Sequence, residues 1–335
     1  MKKLRAGIIG LGVGENHIAG YQNHPDCEVV ALCDFSGEKL ASARNRYPRV
    51  KLISSADELL QDPDIDIVSI ASYDNYHYQQ IVQAIDNNKH IFVEKPLCLY
   101  EREAAHIRKL LNQKPDLKMS SNLILRLSPR FGQLKRMITD GDLGQLFYVE
   151  GDYNYGRLNK ITEGWRGKID FYSVVYGGGV HIIDLMHWLT GDRIVEVAAF
   201  GNDITSRDQG FRYNDMVVSI LKFENGPIGK VSVNCGCVSP HFHALRIYGT
   251  KATFFNGLEY ATLFESRDPV KKGKKITTPY PGVEKGGLIF SFVESILNRS
   301  SAEVTVDDIF KAMSVCFAIE KATTNQSDSV MVSYI

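Results

Sequence analysis

Short runs of β-branched and aromatic residues punctuate the first third of the chain, and each is followed by a turn and a helical stretch. Leu4–Ile9, Glu28–Cys33, Lys51–Ser54, Ile65–Ala71 and Ile91–Val93 read as strands. Ser55–Gln61, the stretch after His77 to about Asn88, and Tyr100–Asn112 read as helices, and a last strand is expected near Lys118–Leu125. Strands alternating with helices predict an α/β unit on a parallel sheet. The pattern then changes. Phe147–Tyr153 alternates in period two, and Ile194–Phe200, Met216–Phe223, Ile228–Cys237 and Phe242–Tyr248 follow as further strands, joined by turns such as Glu224-Asn225-Gly226. Few helices interrupt them. This predicts an α+β unit whose antiparallel sheet is covered on one face. The other face, if apolar, is an oligomer interface. Pro269–Glu284 reads as a loop, and Ile289–Leu297 and Asp307–Thr323 as closing helices. The expected domains are 1–121 and 122–335.

A chain of 335 residues suits two domains. Lysine plus arginine, 39, equals aspartate plus glutamate, 39, so no net field draws it to nucleic acid or anionic lipid. No segment reaches the roughly 18 apolar residues of a membrane span. Met1-Lys2-Lys3 ahead of an apolar run superficially suggests a leader, but the glycine spacing behind it makes that run a first strand. The six cysteines are scattered without paired zinc spacing. Cys235-x-Cys237 and His241-x-His243 each share one strand face, too few ligands for a metal. A reducing, cytoplasmic compartment fits this cysteine usage.

Candidate chemistry concentrates at strand C-termini, where open α/β sheets bind ligands. The first strand ends in Gly10-Leu11-Gly12-Val13-Gly14-Glu15, close to the G-x-G-x-x-G turn that brings backbone N–H groups against a pyrophosphate. The third glycine comes one place early. The second strand ends in Asp34, placed to bind adenosine ribose hydroxyls and repel a 2′-phosphate, which favours NAD over NADP; a helix-capping role is the alternative. Ser72, Tyr73, Asn75 and His77 form a polar loop after the fourth strand, facing the nicotinamide half of the cofactor. The fifth strand ends in Glu94-Lys95-Pro96, and Glu94 and Lys95 are expected to line the nicotinamide side with that loop. Burial there lowers an ammonium pKa toward the range of proton transfer; the alternative is a solvated turn.

In the second half, Gly177-Gly178-Gly179 precede a helix whose apolar face is Ile182, Leu185, Met186 and Leu189. His181 stands at its start, where the helix dipole disfavours an imidazolium; a capping or core role is the alternative. His187 reads as structural. Arg166 and Lys168 suit a phosphate or carboxylate or are solvated loop charges. Trp165 offers an apolar face to a sugar ring or is packing.

Together the glycine loop, Asp34, Ser72–His77 and Glu94-Lys95-Pro96 resemble the Gfo/Idh/MocA oxidoreductases. So do Arg126-Leu127-Ser128-Pro129, the Gly141–Gly144 turn and Gly249-Thr250-Lys251-Ala252. The resemblance spans nearly the whole chain. It implies an N-terminal Rossmann domain and a C-terminal domain with a large, mostly antiparallel sheet. It also implies hydride transfer between NAD and a sugar or nucleotide-sugar secondary alcohol, with Lys95 and His181 handling the proton. Arg126, Trp165, Arg166, Asp184 and His181 would line the substrate, and a homodimer or homotetramer would assemble. Family members carry D-x-x-x-H, but here Gly177 stands where the acid belongs. The Gly164–Lys168 run and the Leu189-Thr190-Gly191 exit resemble UDP-sugar 3-dehydrogenases. Two rival activities remain within the resemblance: a glycosidase using transient oxidation by held NAD, and a non-catalytic NAD-linked sensor.

Overall fold

A computed structural model describes residues 3–284, 286–325 and 329–335. The chain divides into two compact units, Met1–Ile124 with Glu284–Phe310 and Ile335, and Leu125–Val283 with Lys311–Tyr334.

The first unit alternates strand and helix in the expected manner. The strands are β1 (Leu4–Ile9), β2 (Cys27–Cys33), β3 (Lys51–Ile53), β4 (Ile67–Ile70), β5 (His90–Val93) and β6 (Met119–Ser121). Between them run α1 (Glu15–Gln22), α2 (Gly37–Arg46), α3 (Ala56–Gln61), α4 (His77–Asp86) and α5 (Glu101–Gln113). Ser36 and Ser55 cap α2 and α3 through their side chains, the satisfaction that orphan N–H groups require. All six strands are parallel in the order β3-β2-β1-β4-β5-β6. The order reverses between β1 and β4, the switch point of a doubly wound sheet. Ile67, Val68, Ile70, Ile91 and Phe92 are fully buried, as strands covered on both faces must be. A single cut at 121/122 does not anticipate that 284–310 returns to this unit. There α9 (Gly287–Leu297) packs on α1. A Cβ on Gly20 would fall 2.5 Å from the Gly286 carbonyl oxygen, and Phe292 meets Phe92 at 5.7 Å between ring centroids.

The second unit holds α6 (Pro129–Thr139), β7 (Leu146–Asn154), α7 (Asn159–Thr162), α8 (Val180–Thr190), β8 (Ile194–Asn202), β9 (Met216–Phe223), β10 (Ile228–Asn234), β11 (Phe242–Gly249), β12 (Thr253–Asn256), β13 (Ala261–Phe264) and β14 (Lys274–Ile276). The helix α10 (Val306–Asn325) and β15 (Val330–Met331) complete the chain. Among the described residues its sheet has nine strands, ordered β14-β13-β12-β11-β7-β10-β9-β8-β15. Only the β7–β10 pair is parallel, so the large, mostly antiparallel sheet is present. On β7 the buried positions Val149, Gly151 and Tyr153 face the helices. A Cβ on Gly151 would lie 2.4 Å from Ile182 Cγ2 of α8. Tyr148, Tyr248, Phe255, Ile220 and Phe200 belong to the opposite face by register.

Several boundaries differ from expectation. The loop assigned to 269–284 contains β14, and β12 and β13 were not anticipated. These strands have four residues or fewer, too short for periodicity to register, and pairing with neighbours makes them. The strand expected to reach Leu125 stops at Ser121, and a 3₁₀ turn, Ile124–Leu127, follows.

Candidate active site

In the first unit the glycine turn shows three distinct surroundings. Gly10 has φ +91°, and a Cβ there would lie 2.2 Å from the Ala71 carbonyl oxygen; only glycine fits. Gly14 is equally enclosed, with the Gly10 carbonyl oxygen at 2.3 Å from its would-be Cβ. Although one place early, it lets α1 pack tightly on β1. Gly12 is open: the nearest atom to its Cβ position is Lys39 Nζ at 3.8 Å. Val13 beside it is 43 % exposed. Two glycines thus serve the fold and the third leaves bare backbone, which suits a pyrophosphate.

Asp34 is buried at the end of β2. Its Oδ2 accepts from Leu11 N–H at 2.8 Å and Lys39 Nζ at 3.1 Å, and its Oδ1 from Ser36 N–H at 2.9 Å. The carboxylate therefore ties the glycine turn to the start of α2, and Ser36, not Asp34, caps that helix. Phe35, 70 % exposed, meets Tyr73 edge to face. Ser72 Oγ donates to Gln80 Oε1 at 2.7 Å, and Asn75 is exposed. His77 corrects its expected role. It has no exposed surface, and its ring nitrogens lie 2.7 Å from the Pro96 carbonyl oxygen and 3.2 Å from that of Ser72. It joins two loops and reaches a ligand only through them.

Glu94 is buried and held by two side chains. His17 Nε2 lies 3.0 Å and Asn122 Nδ2 2.7 Å from its Oε1. His17 Nδ1 lies 2.9 Å from Ser69 Oγ, and its ring meets Phe92 edge-on at 5.3 Å. Burial pushes the Glu94 carboxyl up, but His17, the charge of Lys95 and the Asn122 amide outweigh it and hold it at about 2. Lys95 is half-buried, and its bond to Pro96 is cis. His17 was missed at the sequence level. Its signal was a histidine sharing the buried face of α1 with Ile18 and Tyr21.

In the second unit, Val175–Gly179 forms one π-helical turn that runs directly into α8. His181 therefore lies inside a continuous helical stretch, not at a free N-terminus, and the expected dipole effect is not placed there. The three glycines are required by close approach. Their would-be Cβ atoms meet Tyr172 Oη at 2.1 Å, Tyr153 Cε1 at 2.4 Å and Val233 Cγ2 at 2.8 Å respectively. His181 is buried and stacks on Tyr153 at 6.2 Å, which stacks in turn on Tyr155 at 5.7 Å. His243 stands 6.2 Å from His181, and His241 4.8 Å from His243. The pair set aside in the sequence thus belongs to an imidazole–tyrosine cluster around His181.

His243 is held by Tyr280. The Tyr280 hydroxyl accepts the His243 backbone N–H at 2.9 Å and lies 2.6 Å from Nδ1. Burial, reinforced by His241, pushes His243 down to about 3. Behind it Arg130, 2 % exposed, donates to the carbonyl oxygens of Thr278, Gly257 and Glu259 and to Asn256 Oδ1. Asn256 Nδ2 donates to the His243 carbonyl oxygen at 2.9 Å.

Arg126 and Asp184, both expected at the substrate, are spent on each other. The guanidinium donates through Nε to Oδ2 at 3.0 Å and through Nη2 to Oδ1 at 2.5 Å, with both side chains buried. This bidentate pair anchors α8. Arg166 lies 4.5 Å over the Trp165 ring and 5.9 Å over that of Tyr172. Arg157 lies 5.3 Å over Tyr155. His187 Nδ1 lies 2.9 Å from the Asp192 carbonyl oxygen, a structural role as expected.

The parallel sheet order, the glycine turn with its open middle glycine and the acid ending β2 define a Rossmann-type dinucleotide-binding protein. Residues 4–121 match the oxidoreductase family with an NAD-binding Rossmann fold, and residues 131–255 match the GFO/IDH/MocA C-terminal domain. The chain belongs to the Gfo/Idh/MocA oxidoreductases. It is 23 % identical over 262 residues to a myo-inositol 2-dehydrogenase of Thermotoga maritima, covering 75 % of each chain. It is 26 % identical over 236 residues to an inositol 2-dehydrogenase of Salmonella paratyphi B, covering 69 % of this chain and 68 % of that one. A levoglucosan dehydrogenase in complex with NADH and levoglucosan shares the fold, with TM-score 0.88, 21 % identity and full coverage of both chains. The scyllo-inositol dehydrogenase of Lactobacillus casei does so with TM-score 0.81, 21 % identity and 99 % coverage of both. No helix among the described residues is long and apolar enough to cross a membrane.

Proposed function

We propose that this oxidoreductase oxidises a secondary alcohol on the ring of a small sugar or polyol, with NAD as acceptor. The observation that carries the reading is the anchoring of Lys95 at the end of β5. Glu94 before it is held by His17 and Asn122, and the Pro96 carbonyl after it by His77. A lysine fixed on both sides at a strand C-terminus is placed to handle a proton rather than to be a surface charge. Gly12, Val13, Asp34 and the Ser72–Asn75 loop would hold NAD, which supplies the hydride acceptor. Lys95 and His181 would share the alcohol proton. Myo-inositol and levoglucosan, acted on by relatives, set the expected substrate size.

A second reading, an anionic or nucleotide-linked sugar, draws on Arg157 and Arg166. Both charges reach Tyr153, the ring stacked on His181. The deciding experiment offers myo-inositol, D-glucose and UDP-glucuronate with NAD and follows NADH absorbance. Accumulating NADH supports a dehydrogenase over a glycosidase that regenerates its cofactor. No turnover of any ring alcohol sinks the proposal and leaves the sensor role. The outer face of the large sheet mixes Tyr148, Tyr248, Phe255, Ile220 and Phe200 with the paired charges Glu150, Asp152, Lys230 and Arg246, and its aromatic part suits a second copy of the chain. Light scattering of an Ile220→Glu, Phe255→Glu variant tests this, and an unchanged mass would refute it. The six cysteines are free thiols, five of them buried, which suits a reducing cytoplasm.

A further inference from the structure

A bare carboxylate at the end of β2 would meet the adenosine ribose and repel a 2′-phosphate. The carboxylate of Asp34 is not bare. A carboxylate has about four acceptor places, and Asp34 uses Oδ2 for Leu11 N–H at 2.8 Å and Lys39 Nζ at 3.1 Å, and Oδ1 for Ser36 N–H at 2.9 Å. Its side chain is 2 % exposed, whereas that of Lys39 is 41 % exposed. The charge that faces outward there is therefore the ammonium. Lys39 Nζ is also the atom nearest the open glycine, 3.8 Å from the would-be Cβ of Gly12. Spacing along α2 accounts for this placement. Lys39, Ala43 and Arg46 fall at i, i+4 and i+7, one helix face. Ala43 is buried, and Arg46 pairs with Glu15 just beyond Gly14. Both acids beside the glycine turn, Asp34 and Glu15, thus carry a cation from α2. Glu38, next to Lys39 in sequence, is exposed and does not share that face.

We propose that this site accepts NADP as well as NAD, and that Lys39 is the residue that reads the 2′-phosphate. The inference deepens the dehydrogenase reading above and rests on its cofactor site. A phosphomonoester carries a charge of about −1.5 to −2 at neutral pH. Among the described residues one N–H donor of the Lys39 ammonium goes to Asp34. The others are left for phosphate oxygens, in bonds of the charge-assisted kind. With NAD, the acceptor place that Asp34 retains takes a ribose hydroxyl. With NADP, the carboxylate repels little, because its charge is already countered at 3.1 Å. A half-exposed ion pair contributes little to stability, so the fold gains little from holding Lys39 at this place.

The test titrates the wild type, Lys39→Met and Lys39→Arg with NADPH and with NADH, followed by nucleotide fluorescence and read as the ratio of the two dissociation constants. Binding is the readout, so no alcohol substrate is needed. In the wild type NADPH should bind within about tenfold of NADH. Lys39→Met keeps the unbranched stem and leaves Asp34 uncountered, so the ratio should move about tenfold or more against NADPH. Lys39→Arg should hold the ratio within about threefold of the wild type, because a guanidinium also suits phosphate. Salt supplies an independent sign. Raising NaCl from about 0.05 to about 0.5 M should move the ratio against NADPH in the wild type, where an attraction is screened. In Lys39→Met the same change should move it toward NADPH, where a repulsion is screened. A merely structural ion pair would give one ratio in all three proteins. That result would overturn the inference and leave NAD-dependent oxidation intact. So would a wild type that binds NADPH more than about tenfold more weakly than NADH, or salt trends of one sign in the wild type and Lys39→Met. If neither nucleotide binds the wild type, the cofactor site itself is misassigned and the dehydrogenase reading falls with it.

Discussion

His17 Nε2 and Glu94 Oε1 sit 3.0 Å apart in the first unit although 77 positions separate them. One belongs to the helix after the glycine turn and the other to the end of β5. The pair therefore couples the element expected to receive the pyrophosphate to the residue beside Lys95. Coupling of this kind carries position, because a buried carboxylate with fixed donors has little freedom to move.

It also makes stability depend on acid. The Glu94 carboxyl is held at about 2, below its ordinary 4.5. A depressed carboxyl contributes stability that is fully present above its unfolded pKa and is lost as pH falls through the folded one. The contribution is roughly 3 kcal/mol at neutral pH, taking about 1.4 kcal/mol per unit. Urea unfolding of the wild type should weaken between about pH 4.5 and 2. Glu94→Gln should lack that part of the slope. An identical pH dependence in the two proteins would show that the carboxylate is not so held.

Lys95→Ala should lower turnover by ~10²–10⁴, the usual yield of general acid–base catalysis, while NADH still binds, as read by its fluorescence. His181→Ala should do the same. Wild-type turnover in either variant would remove that residue from the proton path.

The glycine turn separates fold from ligand. Gly10→Ala places a Cβ 2.2 Å from a backbone oxygen at φ +91° and should cost more than about 1 kcal/mol of stability. Gly12→Val meets open space in the free protein and should leave Tm nearly unchanged while weakening NADH binding by tenfold or more, about 1.4 kcal/mol. If the melts rank the two variants the other way, the open glycine has been misassigned.

Asp184→Ala takes the bidentate carboxylate from the buried Arg126. Breaking such a pair costs about 3–5 kcal/mol, whereas replacing both partners by apolar residues costs far less. Chemical denaturation of Asp184→Ala and of Arg126→Met/Asp184→Leu should show that asymmetry. A single variant as stable as the wild type would mean that the pair does not anchor α8.

His243 should stay neutral down to about pH 3. The Tyr280 hydroxyl accepts the backbone N–H and lies 2.6 Å from Nδ1; its one proton is expected to go to Nδ1, which places the ring proton on Nε2. Nitrogen-15 spectra of the labelled histidines would reveal that tautomer and its loss in Tyr280→Phe. An Nδ1–H form, or an imidazolium at pH 6, would contradict the geometry.

Order along the chain was enough to single out the glycine turn, Asp34 and Glu94-Lys95-Pro96, because each follows the end of a strand and those punctuations are local; His181 drew notice through the glycines before it, and the structure sets it inside a continuous helical stretch. The strand–helix alternation likewise dictated a parallel sheet, since short βα units have few other ways to bury their apolar faces. Tertiary packing alone decided what those residues touch. His77 was expected at the cofactor and lies buried between two loops, and Arg126 and Asp184 were expected at the substrate and hold each other. Arg130 carried no local signal and His17 only its place on the buried face of α1, because their partners lie far along the chain. A hydrogen bond or a close approach depends on distance in space, and periodicity constrains only distance along the chain.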